Sequence, residues 1–223
     1  NLDAISLNIA EFYAEKEPLK LLESFCRIAN KRSSQPQALQ GSIDFDPLLD
    51  WNEPPLDDLV RALHLVEAEL PRFKILQING RYYHAGPQEA ARELGYTIAQ
   101  GSEYLARLLE HGISPEHANR YLQFSVAVSS SYFVAIAKLR ALRILWNNVL
   151  RGYGITNPAP TEIVVHLAKE TQDENPNTNM IRATTQAMSA IIGGADRLYV
   201  LPANAALKEP STSFSRRIAR NVQ

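Results

Sequence analysis

Short apolar runs alternate along the chain with longer amphipathic segments. Residues 4–9 alternate apolar and polar positions as a strand does, and 18–31 then place Leu19, Leu22, Phe25, Cys26 and Ala29 on one side of a helix. A second strand over 38–45 leads through Pro47 and Pro54-Pro55 into a helix over 56–70, where Leu59, Val60, Leu63, Val66 and Leu70 keep helical spacing. The third strand, 73–78, ends at Asn79-Gly80, a strong turn dipeptide. A helix over 88–109 follows and stops at His111-Gly112, and Ser114-Pro115-Glu116 then reads as an N-cap with proline at the first helical position. The plan repeats in the second half. Strands are predicted over 122–128, 162–167 and 197–201, with helices over 131–148, 177–192 and from 211 onward. Gly193-Gly194 is a helix stop.

Strand starts lie roughly 35 to 50 residues apart, and each gap holds at least one helix. Repeated βα units of this kind require a parallel sheet, and the near-continuous apolar strands fit burial on both faces. Six units are compatible with an open doubly wound sheet or with an incomplete barrel. Neither a G-x-G-x-x-G after the first strand nor a G-x-x-x-x-G-K-[ST] occurs, so the usual nucleotide fingerprints of open sheets are missing. At about 35 residues per unit a (β/α)8 barrel needs about 280 residues, which would leave two units outside these residues. The chain opens on Asn1 and its last residues have mid-helix character, so it is expected to be a piece of a longer polypeptide.

Composition narrows the function classes. The 223 residues carry 23 Lys and Arg against 24 Asp and Glu, a net charge of −1, which offers no electrostatic case for nucleic acid or an anionic membrane as partner. Cys26 stands alone, so no intrachain disulfide and no cysteine metal cluster is expected, and a buried structural thiol is its simplest reading. The longest uncharged stretch, 121–137, is too short and too polar to span a bilayer, and no signal peptide is visible. A reducing, cytoplasmic compartment is expected. Among candidate groups, His64, His111 and His117 read as helix surface or caps. His84, just past a strand end, and His166, at the carboxyl end of its strand, occupy the edge that carries active sites in parallel α/β folds. Asp44 and Asp46 could serve as a base or metal ligand there, although Asp46-Pro47 is also a good turn opener. No triad and no metal-spaced cluster emerges from these residues.

Longer segments carry more specific information. The helix Tyr132-Phe133-Val134-Ala135-Ile136-Ala137-Lys138-Leu139-Arg140-Ala141-Leu142-Arg143-Ile144-Leu145-Trp146 resembles the pattern F-F-x-E-[IV]-A-K-[FL]-R-A-x-R-x-L-W. Asn175-Pro176-Asn177-Thr178-Asn179-Met180-Ile181-Arg182-Ala183-Thr184 resembles D-P-x-x-N-[ML]-[LI]-R-x-T, and Gly193-Gly194-Ala195-Asp196 resembles G-G-A-D. Phe214-Ser215-Arg216-Arg217-Ile218-Ala219-Arg220-Asn221 is similar to F-[SA]-x-R-[IL]-A-R-N, and Glu93-Leu94-Gly95-Tyr96 with Glu103-Tyr104-Leu105 to E-L-[AG]-Y and E-Y-[IL] on one helix. All are patterns of the methylmalonyl-CoA mutase family, an isomerase family. The resemblance implies an α/β chain of (β/α)8 TIM-barrel type, an acyl-CoA-binding barrel with about six consecutive βα units spanning 1–223. It also implies adenosylcobalamin on a separate domain, whose D-x-H-x-x-G signature does not occur here.

Family members are either catalytic chains or heterodimers with a small subunit that does no chemistry. Where catalytic chains carry G-T-I-Q-N-D-I-L-K-E, this chain reads Gly41-Ser42-Ile43-Asp44-Phe45-Asp46-Pro47-Leu48, and too few residues follow before Pro54-Pro55 to hold the family's arginine loop. A buried substrate carboxylate without such a cation is costly. Tyr82 falls on the histidine of S-G-Y-H-M-Q-E-A-G-A-T, with His84 two residues away, a shift too large for catalytic geometry. Tyr121 takes the arginine position of R-L-S-F-F, and His166 matches T-H-S-Q-T-S-G, but Leu167-Ala168-Lys169-Glu170 depart from that motif. The positions Asp44, Phe45, Tyr82, His84, Tyr121 and His166 are therefore expected to form a degenerate site, with no catalytic, cofactor-binding or metal-binding residue. The expected partner is a homologous large catalytic subunit that carries adenosylcobalamin. The alternative is an active acyl-CoA mutase of altered substrate that uses His84, His166 and Asp44. The barrel reading also predicts Gly80, His84, Ser130 and His166 together at the carboxyl ends of the strands.

Overall fold

Parallel strands and helices alternate through the computed structural model, which describes residues 6–10, 17–33, 35–207 and 210–223. In chain order these are β1 (Ser6–Ala10), α1 (Pro18–Arg32), β2 (Gln40–Asp44), α2 (Pro47–Asp50), α3 (Leu56–Glu69), β3 (Phe73–Lys74), β4 (Leu76–Ile78) and α4 (Ala90–Glu110). There follow α5 (Pro115–Tyr121), β5 (Leu122–Val128), α6 (Tyr132–Gly152), β6 (Glu162–Leu167), α7 (Pro176–Gly193), β7 (Arg197–Tyr199) and α8 (Ser213–Val222). Each strand predicted from the alternation is present. The first residues of the earliest one, 4 and 5, lie outside the described residues. The last is shorter than predicted, ending at Tyr199. The chain divides into two compact units, one of residues 1–78, 100–123 and 153–161, the other of 79–99, 124–152 and 162–223.

In the first unit β1, β2 and β3 form a parallel sheet in chain order, with Ser6 opposite Gln40 and Gly41 opposite Phe73. The run 73–78, predicted as one strand, is broken at Ile75. Its N–H is taken by the Tyr121 carbonyl at 2.9 Å, and two residues on the Gln77 N–H turns to the Phe45 carbonyl at 3.0 Å. The backbone changes ladder partner within the run, which divides it into β3 and β4. Helices α1 and α3 pack together and bury Leu22, Cys26 and Ala29 from one and Leu59, Ala62, Leu63 and Val66 from the other. Cys26 is buried as predicted, and desolvation, helped by the nearby Glu69 charge, pushes its thiol up to about 11, which leaves it inert.

The same unit encloses a carboxylate. Asp46 is fully buried and opens α2, as the Asp-Pro pair suggested. It accepts hydrogen bonds from Gln100 Nε2 at 2.6 Å and the Tyr104 hydroxyl at 2.5 Å, while the Tyr104 oxygen accepts from the Leu48 N–H at 2.7 Å. Burial, reinforced by the Asp46 charge, drives the Tyr104 hydroxyl far above the usual phenol range, so it remains a donor.

In the second unit the strands β5, β6 and β7 lie side by side in chain order, and β6 pairs with β7 in parallel with Val164 opposite Arg197 and His166 opposite Tyr199. Spatial order never reverses within a sheet, unlike the doubly wound arrangement with its switch point. Phe124 meets Trp146 of α6 edge-on at 5.0 Å, so Phe124 and the residues in step with it face the helices, and Ser125 and Ala127 face the other way. Asn175 caps α7 by accepting from the Asn177 and Thr178 N–H groups, Pro176 follows it, and Gly194 ends the helix at φ 93°. At Gly193 an added Cβ would lie 2.7 Å from the Leu139 side chain, so this glycine sets how closely α6 and α7 approach.

Tyr104→Phe removes one donor from a buried carboxylate and the acceptor of the Leu48 N–H together. Urea denaturation of the protein carrying this chain should show a loss of about 1–3 kcal/mol for that variant.

Candidate functional site

The second unit gathers loops at the carboxyl ends of β5 and β6. Ahead of them, Gly80 opens a 3-10 turn, Gly80–Tyr83, pressed so closely on α4 that a Cβ there would sit 2.3 Å from the Thr97 hydroxyl. This turn fixes where Arg81, Tyr82 and His84 emerge. The segment after β6 is tied down in turn: the Ala168 N–H donates to the Val128 carbonyl, Gln186 donates to the Thr171 hydroxyl at 2.9 Å, and Arg182 reaches the Thr171 carbonyl at 3.0 Å and Asp173 at 2.7 Å. Between the loops lies a cleft of about 490 Å³ bordered by Gly86, Ser129, Ser130, Glu170, Gln172 and Arg182.

Beside this cleft a chain of ionisable groups is buried. The Lys138 ammonium lies 2.7 and 2.8 Å from the two oxygens of Glu93 and also donates to the Ala127 carbonyl. Glu93 is wholly buried and Lys138 nearly so. His84, also buried, bonds Glu93 Oε2 through Nδ1 at 2.8 Å, and its Nε2 comes within 2.8 Å of Glu170 Oε1 at an angle too poor for a hydrogen bond. Burial pulls the lysine below the usual ammonium range, and the adjacent Glu93 carboxylate opposes that shift.

The other sequence-predicted positions are stacked, hydrogen-bonded or packed, apart from Tyr82, which is exposed. His166 stacks face to face on Tyr199 at 4.6 Å, with the Arg81 guanidinium within 3.4 Å of both ring nitrogens. Burial first, and the Arg81 charge second, lower this imidazole to about 3, so it is neutral at physiological pH. Tyr82 is 62% exposed, under the Arg81 guanidinium at 4.9 Å. In the first unit Asp44 accepts from Gln77 at 2.7 Å, and Gln77 in turn accepts from Gln123 at 2.5 Å. Phe45 is buried edge-on to Trp51, and Tyr121 is buried against His117. Tyr82, His84 and His166 thus share one unit with Gly80 and Ser130, while Asp44, Phe45 and Tyr121 belong to the other.

The recognised sequence patterns turn out to be clasps. From α6, Arg140 donates to the Ile192 carbonyl and Arg143 to the Gly194 carbonyl and to Asp196 at 2.7 Å, while Asp196 also accepts the Ile163 N–H. The R-A-x-R and G-G-A-D segments therefore hold one another at the carboxyl end of α7, where backbone acceptors need donors. Asn179 reaches the Asp173 and Ala203 carbonyls, both at 2.8 Å. Two features escaped the reading of the residues. Lys138 sits among Ala135, Leu139 and Leu142 on the buried face of α6, a signal for a buried partner. Ala135, also buried, stands where the family pattern of that helix has glutamate.

The architecture defines an α/β protein of parallel sheets with its candidate site at strand carboxyl ends, where such folds place chemistry. The family described as methylmalonyl-CoA mutase matches residues 1–223, and the chain belongs to it. It is 32% identical over 217 residues to the methylmalonyl-CoA mutase small subunit of Porphyromonas gingivalis, covering 91% of this chain and 34% of that protein. A second relative named a small subunit, from Streptomyces virginiae, is 37% identical over 153 residues, covering 68% of this chain and 25% of that protein. The methylmalonyl-CoA mutase of Cereibacter sphaeroides is 29% identical over 217 residues, covering 92% of this chain and 30% of its own length. The chain thus spans about a quarter to a third of the length of these relatives. Among the described residues no helix is long and apolar enough to cross a membrane.

Lys138→Met would leave the Glu93 carboxylate buried without its ammonium. It should cost about 3–5 kcal/mol of stability by chemical denaturation, with part of the loss recovered when Glu93→Gln is added.

Proposed function

We propose that the chain is the barrel portion of a small, non-catalytic subunit of methylmalonyl-CoA mutase. In this reading residues 1–223 are part of one (β/α)8 domain, without a cobalamin-binding domain. The subunit pairs in the cytoplasm with a homologous large subunit, which interconverts methylmalonyl-CoA and succinyl-CoA by adenosylcobalamin-dependent chemistry. The observation that carries the reading is how the degenerate positions are used. Phe45 and Tyr121 are core residues, Asp44 is held by Gln77, His166 is stacked and neutral, and His84 lies between two carboxylates. Phe45, Tyr121, Asp44 and His166 offer neither a cation to a substrate carboxylate nor a donor to a thioester carbonyl, and the His84 ring faces carboxylates on both sides.

In this reading adenosylcobalamin is carried by the large subunit. Of the two histidines at the strand carboxyl ends, His84 faces Glu93 and Glu170 and His166 is stacked on Tyr199, so neither presents an open ring nitrogen to a cobalt ion. In this reading the subunit's own residues contribute a folded surface to the assembly, and no chemical step runs through them.

The test is a mutase assay of the complex reconstituted with a purified large subunit. His84→Ala and His166→Ala should each leave turnover within about twofold of the parent once complex assembly is matched, whereas losing one transition-state donor costs about 100-fold or more. A 100-fold fall in His84→Ala with the complex intact would favour an active site built on His84, His166 and Asp44.

A further inference from the structure

Both ring nitrogens of His84 face carboxylate oxygens at 2.8 Å, Nδ1 towards Glu93 and Nε2 towards Glu170. Only the imidazolium has two N–H donors; the neutral ring would turn a lone pair on one of these oxygens. The local charges point the same way. Glu93 comes from α4, Lys138 from α6 and Glu170 from the 3-10 turn Lys169–Thr171, and the Arg182–Asp173 pair beyond that turn is already matched. Arg81, on the turn that carries His84, is directed at His166. Lys138 pairs directly with Glu93 and its charge also acts on Glu170, but the ring in contact with Glu170 is that of His84.

The two ends of this contact differ in freedom. His84, Glu93 and Lys138 are buried and fixed, whereas the Glu170 side chain is 58% exposed on a short turn that borders the cleft. We propose that His84 and Glu170 form a proton-dependent clasp on the rim of the cleft. With His84 doubly protonated, Nε2–H donates to Glu170 after a small rotation of the carboxylate, and the 169–173 segment is drawn against the loop that carries Gly86. When Nε2 loses its proton the contact becomes repulsive and that segment loosens, while Nδ1 keeps its bond to Glu93. The clasp closes and opens the cleft as Nε2 gains and loses its proton. Its position on the anchored Glu93–Lys138 pair confines the response to the rim and spares the core.

Amide hydrogen exchange on the full-length protein, corrected for intrinsic pH dependence, tests this directly. In the parent, protection across residues 169–173 should fall about threefold between about pH 6 and about pH 8, the size expected for a pair with one exposed partner. Glu170→Gln changes only an exposed side chain and should fold normally; its protection should match the parent at the higher pH and stay flat across the range. Equal protection of the parent at both pH values, or an unaltered pH response in Glu170→Gln, would overturn the clasp.

Discussion

The ion pair between Glu93 and Lys138 constrains the second unit more than any other contact. Two charges removed from water cost several kcal/mol each unless their geometry is close and their remaining hydrogen-bonding capacity is filled. Here the ammonium spans both carboxylate oxygens and a backbone carbonyl, and the carboxylate also holds the His84 ring. The pair ties α4 to α6 at a fixed distance, and the turn after β4 takes its position from it. An apolar pair of similar volume could provide comparable stability. The ionic pair additionally fixes the orientation of His84, and so decides what the loops at the rim can touch.

The kept scaffold and the proposed loss of the site are read from the same residues. Arginines of α6 satisfy the carboxyl end of α7, Asn179 and Arg182 hold the segment after β6, and Gly193 lets the two helices approach. These interactions are independent of any ligand. Several positions expected to form the degenerate site are held in packing, as Phe45 against Trp51 and His166 against Tyr199, while Tyr82 is exposed. Membership of the methylmalonyl-CoA mutase family rests on the scaffold, and the proposed silence of this chain rests on the positions inside it.

Much of the fold was legible because it depends on local pattern. The spacing of Leu59, Leu63 and Val66, the Ser114-Pro115 cap and the Gly193-Gly194 stop are all realised where the residues placed them. The division of 73–78 was not legible, since it arises when the backbone exchanges one hydrogen-bonding neighbour for another, and both neighbours are distant in sequence. The buried Asp46–Tyr104 and Glu93–Lys138 contacts were hidden for the same reason, joining residues 58 and 45 positions apart. Departures from the family's catalytic pattern could be read at single positions such as Tyr82 and Tyr121. What surrounds the two histidines, one ring stacked on Tyr199 with Arg81 at its nitrogens and the other facing two carboxylates, required the geometry.

Ligand binding by the purified protein that carries this chain, with no other protein added, tests the central claim most directly. Calorimetric titration with methylmalonyl-CoA should give no saturable heat up to about 1 mM ligand, because in this account Phe45, Tyr121 and His166 supply neither a cation for the carboxylate nor a donor for the thioester. Saturable one-to-one binding with a Kd of about 1 μM would contradict the account and show that the protein still holds a working acyl-CoA site.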